Sequence, residues 1–191
     1  ERLLSSLKEI RKINLTNLVT RKEACNSDRA KYLSHQYITS EVKNNIEIKL
    51  ESTKIMPTWS SVGCAISHYE CWNDIVNKNF RYALILEDDI LIDSVDKFLF
   101  SINESIRILN HISYDRDIGL FVSLNSNTIN STESLIRDNI YEIYSEFIGT
   151  SSYFINNKGA RLLLNTLPLK YQLDIHIGKN INKINYKHKF K

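Results

Sequence analysis

Residues Tyr82–Asp93 read YALILEDDILID: five apolar residues, Tyr82 to Leu86, that break into Glu87, Asp88 and Asp89. An apolar run of this length, bounded by polar residues, predicts a central strand buried on both faces. Side chains alternate along a strand, so extended backbone carried past Leu86 would put Glu87 and Asp89 on one side and Asp88 on the other. Three adjacent carboxylates repel one another. A divalent cation with a preference for hard oxygen ligands, Mg2+ or Mn2+, would supply the counter-charge. Ligands of open α/β sheets collect beyond the carboxyl ends of the strands, where this cluster falls. A solvated acidic turn would account for the same residues without any ligand.

Working outward, the pattern alternates helix and strand. Upstream, Val62, Ala65, Ile66, Tyr69, Trp72 or Asn73, and Val76 follow helical spacing between Ser61 and Asn77, with Ser60 or Ser61 as the N-cap. Gly63 in the first turn would let a ligand approach the backbone, at a helix N-terminus that favours anions. Downstream, Val95, Phe98, Leu99, Ile102, Ile106 and Leu109 mark an amphipathic helix, and Ile118–Leu124 a second apolar strand. Asn125–Ser134, rich in Ser, Thr and Asn, is the expected mobile loop over a site. Ile140–Phe147 and Ser151–Ile155 read as strands, followed by a helix capped by Asn156 or Asn157 and closed by Pro168.

The N-terminal third is less regular. Leu3, Leu4, Leu7, Ile10 and Arg11 have helical spacing, although Ile10–Leu15 also fits a short strand. Thr20–Asp28 reads as a loop, Ser27 or Asp28 as the cap of a helix through Tyr37, and Asn45–Leu50 as a period-two strand. The tail Asn180–Lys191 is basic and polar and is expected to be solvated or frayed.

Composition narrows the class. The 191 residues suffice for one domain, 1–191, with a sizeable core, and 42% hydrophobic with 25% charged residues is ordinary globular usage. The formal charge of +3 is spread along the chain except in the tail, so no nucleic-acid stripe emerges. No apolar run has the length of a membrane span and no signal peptide is visible. The opening residue is Glu1, which suggests a domain cut from a longer chain. Three cysteines, Cys25, Cys64 and Cys71, imply no disulfide framework. Cys64, His68 and Cys71 recur on one helical face and could hold zinc, but spacing suggests no fourth ligand, and buried Cys is a common core residue.

Three ordered stretches carry a resemblance. Gly63-Cys64-Ala65-Ile66-Ser67-His68-Tyr69-Glu70-Cys71-Trp72 is similar to a G-C-x-x-S-H-x-x-x-W helix, and Ala83–Asp89 to A-L-I-L-E-D-D. Gly149–Ile155 through Gly159-Ala160-Arg161-Leu162-Leu163 resembles an aromatic strand followed by G-A-x-x-L-L, with Asp174 where an acid follows a P-L segment. Together they resemble glycosyltransferase family 25, which includes lipooligosaccharide and procollagen galactosyltransferases. Ile13-Asn14-Leu15 is similar to the family's opening I-N-L strand, while Arg21 and Arg29 stand at looser spacing than its arginine cluster.

The resemblance implies a GT-A type, Rossmann-like α/β fold with a mixed, mostly parallel central sheet flanked by helices. It implies transfer of galactose or glucose from a UDP-sugar to a hydroxyl acceptor on a glycan or on hydroxylysine of a collagen-like protein. In that reading Glu87 and Asp89 hold Mn2+ or Mg2+, and Asp89 and Asp174 are catalytic. Asn14, Gly63, Ser67, His68 and Asp88 contact the donor. Asp88 is left to touch ribose or brace the strand end; Asp174 could be a supporting acid, a metal ligand or the general base. His68 reads equally as a satisfied core residue. Of Tyr153 and Phe154, one should be core and the other free to stack on a sugar ring. The compartment would be cytoplasmic for a bacterial or viral source and the endoplasmic reticulum lumen for the procollagen type. Two other classes fit the residues: a glycan- or protein-binding domain that kept the fold without turnover, and a phospho-acceptor domain, for which no matching Lys is evident.

Overall fold

A computed structural model of the chain describes residues 2–49, 55–112, 118–124, 127–128, 133–137, 140–144, 146–184 and 186–190. Its helices are α1 (Arg2–Lys12), α2 (Ser27–Tyr37), α3 (Ser40–Glu47), α4 (Trp59–Asn77), α5 (Val95–Ile112), α6 (Asn157–Leu164) and α7 (Leu173–Asn180). Its strands are β1 (Tyr82–Leu86), β2 (Leu120–Ser123), β3 (Asn127–Thr128), β4 (Glu133–Arg137), β5 (Ile140–Ile143), β6 (Phe147–Ile148), β7 (Ser152–Asn156) and β8 (Tyr186–Phe190).

Six strands form one sheet in the order β1-β7-β2-β8-β5-β4, and β3 pairs with β6 separately. Here the expectation of a mostly parallel sheet is corrected. Among the described strands of this sheet only β2 and β8 pair in parallel; β1–β7, β2–β7, β5–β8 and β4–β5 are antiparallel. The strands joined through α5, β1 and β2, do run in the same direction, but β7 is inserted between them, running the other way. Nor is β1 central: it is an edge strand, and only Ile85 of its five residues is buried. Four of the five apolar residues are only partly buried because, among the described strands, β1 has a neighbour on one side alone.

Alternation along the strands divides the core in two. Ile85, Phe121, Tyr153 and Ile155 point to one face, where α2, α4, α6 and α7 pack. Leu120, Val122, Ile140 and Phe154 point to the other, against α5 and the buried Ile13 and Ile92. Helix α4 starts in a capping box: Thr58 Oγ1 accepts from Ser61 N–H, and the Ser61 hydroxyl accepts from Thr58 N–H. Asn156 caps α6 through Gly159 N–H at 2.8 Å and also accepts from Leu120 N–H at 2.9 Å, tying the helix start to β2.

Elsewhere burial spacing overrides the expected elements. Asn45–Leu50 is not a strand: Thr39 caps α3, which buries Val42 and Ile46 four residues apart, and Leu50 lies outside the described residues. The I-N-L segment is not a strand either. Helix α1 runs through Lys12 with Ile10 and Ile13 buried on one side, and exposed Asn14 turns the chain at φ 55°. Within the expected loop Asn125–Ser134, residues 125–126 and 129–132 lie outside the described residues, while Asn127–Thr128 form β3 and Ser134 belongs to β4. The basic tail is no frayed end. Residues 186–190 form β8, the strand that joins β2 to β5, and Lys189 within it is buried. The period-two pattern of Tyr186-Lys187-His188-Lys189-Phe190 was masked by its charge.

Helix α7 is held by a hydrogen-bonded group around Thr166. The Thr166 hydroxyl donates to Leu163 C=O at 2.6 Å, so it accepts from His176 Nε2–H at 2.8 Å; the Tyr69 hydroxyl lies 2.9 Å away. Burial of His176, reinforced by the charge of Lys183 and opposed by hydrogen bonding to Thr166, lowers its pKa to about 4.

Two predictions follow from packing and titration. A Cβ on Gly63 would stand 2.2 Å from Cys25 C=O, so Gly63→Ala should destabilise the protein by about 3 kcal/mol in urea melts; an unchanged midpoint would refute the close approach of the Cys25 backbone to α4. Because His176 titrates near 4 when folded and near 6.5 when unfolded, protons bind the unfolded chain more readily. Its contribution is whole above pH 6.5 and is lost as pH falls toward 4, by up to ~3 kcal/mol. His176→Gln should flatten that part of the stability–pH curve.

Candidate functional site

At the end of β1 the strand geometry stops. Glu87 N–H still pairs with Ser151 C=O at 2.8 Å, but the chain turns at Asp88 and Asp89, so the alternation expected to place Glu87 beside Asp89 does not extend that far. The turn is pinned from α1. The Ser6 hydroxyl donates to Asp88 C=O, and Ile92 N–H donates to Glu9 Oε2 at 2.9 Å. Glu9 is itself held below the usual carboxylate range, first by its hydrogen bond from Lys12 and then by Ile92 N–H. Nothing in the spacing of α1 marked it as the support of the acidic turn.

Glu87 is half-buried and bonded through one oxygen. His68 Nε2 lies 3.3 Å from its Oε1, and the Thr150 hydroxyl donates to the same Oε1 at 2.9 Å. The His68 hydrogen bond lowers the Glu87 pKa most, against burial, with help from the Thr150 hydroxyl. The site therefore holds a carboxylate at neutral pH. Among the described residues its Oε2 has no hydrogen-bond partner. Asp89 is exposed and makes no hydrogen bond or ion pair among the described residues.

Asp174 reaches the same region from α7. Its Oδ2 accepts from Gly149 N–H at 3.2 Å and its Oδ1 from Ile175 N–H at 2.8 Å. Gly149 adopts φ 107°, a conformation that L side chains rarely take. The segment Gly149-Thr150 thus links Asp174 to Glu87, and Thr150 is a site residue that the sequence did not single out. Convergence is clearest at Cys64. Although that residue is exposed, local desolvation pushes its thiol up to about 12, and the charges of Glu87, Asp174, Asp89 and Asp88 all push the same way. The charges of four acids are thus felt at one point on α4, although of the four only Glu87 has a ligand atom within 4.8 Å of those of Cys64 and His68 as a group.

The remaining expected residues divide. His68 is buried and faces Glu87, and its Nδ1 lies 2.7 Å from the Tyr153 hydroxyl, whose oxygen accepts from Trp72 Nε1–H at 2.9 Å. Tyr153 is the partner on the α4 face and is wholly buried; Phe154 points to the opposite core, so neither offers an open ring to a sugar. At Gly63 the space that was expected to admit a ligand is filled by the Cys25 backbone, and Ser67 is spent on the same join: its hydroxyl accepts from Cys25 N–H and donates to Gly63 C=O. Asn14 lies at the exposed end of α1, and none of its hydrogen bonds reaches the acids. The Cys64-His68-Cys71 trio is also regrouped. Cys64 and His68 lie with Glu87, their ligand atoms all within 4.8 Å of one another, and Cys71 is not among them.

The family model described as glycosyltransferase family 25 (LPS biosynthesis protein) matches residues 8–177. Lipooligosaccharide biosynthesis protein lex-1 of Haemophilus influenzae is 38% identical over 61 residues, covering 32% of this chain and 20% of that protein. Procollagen galactosyltransferase 1-B of Xenopus laevis is 27% identical over 121 residues, 62% of this chain and 19% of the relative. A bovine protein named "Probable inactive glycosyltransferase 25 family member 3" is 24% identical over 122 residues, again 62% and 19%. The chain spans about a fifth of the length of these curated relatives. With a family match that runs through both the acidic turn and Asp174, the chain belongs to glycosyltransferase family 25.

Proposed function

We propose that the chain is a metal-dependent hexosyltransferase domain that transfers galactose or glucose from a UDP-sugar to a hydroxyl acceptor on a glycan or on hydroxylysine of a collagen-like protein. The observation that carries this reading is that Gly149-Thr150 bonds to both Asp174 and Glu87, next to the turn of Asp88 and Asp89, with Glu87 held as a carboxylate that has one oxygen unbonded among the described residues. Such an array binds a cation better than it tolerates being empty. Glu87 Oε2 and Asp89 are hard oxygen donors suited to Mn2+ or Mg2+. Bound there, the ion would neutralise charge on the departing diphosphate.

The protein's own groups supply the rest. His68 and Thr150 fix the Glu87 carboxylate. The turn that carries Asp88 and Asp89 is fixed by α1. Asp174 is oriented by two backbone N–H donors, and each oxygen keeps a further lone pair with which to serve the acceptor hydroxyl as base, or the metal. In this reading the acid rim beyond β1 and β7 is a GT-A type nucleotide-sugar site, supported by family membership and by its place at the carboxyl end of β1. The named inactivity of the bovine relative favours a second reading, a domain that binds nucleotide sugar or glycan without turnover.

A donor screen tests the first reading. Thermal shift against UDP-galactose, UDP-glucose and UDP should show Mn2+-dependent stabilisation that a chelator abolishes and added Mn2+ restores. Transfer with that donor separates enzyme from binding domain. Asp89→Asn should lower transfer and Mn2+-dependent UDP affinity by about 100-fold while leaving the melting temperature near wild type, because the side chain is exposed and makes no bond among the described residues. Near-normal turnover in that variant would remove Asp89 from the site.

A further inference from the structure

The ligand atoms of Cys64, His68 and Glu87 lie within 4.8 Å of one another, which invites a metal centre with His68 as a ligand. The hydrogen-bond chain behind His68 argues otherwise. Trp72 Nε1–H can only donate, and it donates to the Tyr153 oxygen at 2.9 Å. The Tyr153 hydroxyl hydrogen is then left to find an acceptor inside the core, where Tyr153 and Trp72 are both fully buried. Among the described residues the acceptor in reach is His68 Nδ1 at 2.7 Å. A neutral imidazole that accepts at Nδ1 carries its proton on Nε2, and Nε2 faces Glu87 Oε1 at 3.3 Å.

A metal on Nε2 would move that proton to Nδ1. Two N–H groups would then converge on the Tyr153 oxygen, and its own hydrogen would be stranded in the core. The imidazolium form strands it in the same way. At the other end, Thr150 donates to the same Oε1, so that oxygen takes both protein donors while Oε2 takes none among the described residues.

From this geometry we infer that Trp72, Tyr153 and His68 form a buried relay that locks His68 as an Nε2–H donor. His68 is a positioning residue that, with Thr150, clamps Glu87 by Oε1 and presents Oε2 alone to the cation. The inference rests on the metal-dependent reading above only for the identity of what Oε2 meets; the tautomer stands on the hydrogen bonds themselves.

Long-range 1H–15N correlation on protein labelled with [15N]histidine reads the tautomer directly, with His68→Gln used to assign the signal. The Nε2–H pattern is expected at neutral pH, both in the free protein and with UDP and Mg2+. An Nδ1–H pattern, an imidazolium, or a direct shift of Nε2 on adding Zn2+ would overturn the inference. The second readout is the Mn2+ concentration that half-saturates UDP binding. His68→Ala should raise it by about tenfold and Thr150→Val by several-fold, whereas His68→Gln, which keeps an N–H toward Glu87, should recover most of the loss. His68→Gln as weak as His68→Ala, or both variants with wild-type Mn2+ affinity and only a lowered melting temperature, would reduce the relay to a core support. Wild-type protein with the Nε2–H pattern and no Mn2+ uptake would sink the metal-dependent function and uphold the donor role. The opposite tautomer in a protein that takes up Mn2+ would do the reverse.

Discussion

A carboxylate half-removed from water must be compensated, and Glu87 is compensated from two directions at once. His68 reaches it from α4 and Thr150 from the segment leading into β7, so one side chain ties the helix layer to the strand inserted in the sheet. Behind His68 stands Tyr153, and behind Tyr153 stands Trp72, each fully buried. The family-like helix motif and the acidic motif, about twenty residues apart in sequence, therefore describe two ends of one hydrogen-bonded path. That path accounts for the pairing of a His and a Trp four residues apart on α4 with an aromatic strand far downstream.

The acids themselves are organised by backbone as much as by side chains. Asp174 holds Gly149 N–H, and Gly149 precedes the threonine that holds Glu87. Helix α1 contributes from the opposite side through Ser6 and Glu9. The resulting cluster is a rim supported from three separate parts of the chain, which holds like charges on one side of the fold.

Much of this was legible in the residues. The 3.6 period of α4 and α5, the strand at Tyr82–Leu86, the caps near Asn156 and the acidic turn follow from local pattern, and local pattern is what a sequence displays. Strand neighbours are not local. The insertion of β7, the edge position of β1 and the recruitment of β8 depend on pairings between residues thirty or more apart. The failures at Asn45–Leu50 and Ile13–Leu15 were of another kind. Short alternations of Ile with polar residues fit both periods, and burial of Val42 with Ile46, or Ile10 with Ile13, decided for the helix or its end. Gly63 and Ser67 drew attention for reasons of ligand access, whereas the Cys25 backbone occupies that space.

Strand β8 carries a consequence for how the sheet comes apart. Strands β4 and β5 make their ladder contact with the rest of the sheet only through β8, since β5 pairs with β4 and β8 and with no other described strand. Strands β4, β5 and β8 thus meet the rest of the sheet at the parallel seam between β8 and β2, the one pairing of that kind among the described strands. Ile140 and Ile143 of β5 add a second tie, because each is buried in a core that β2 and β7 also line, so opening of that seam would bare apolar surface on both halves of the sheet.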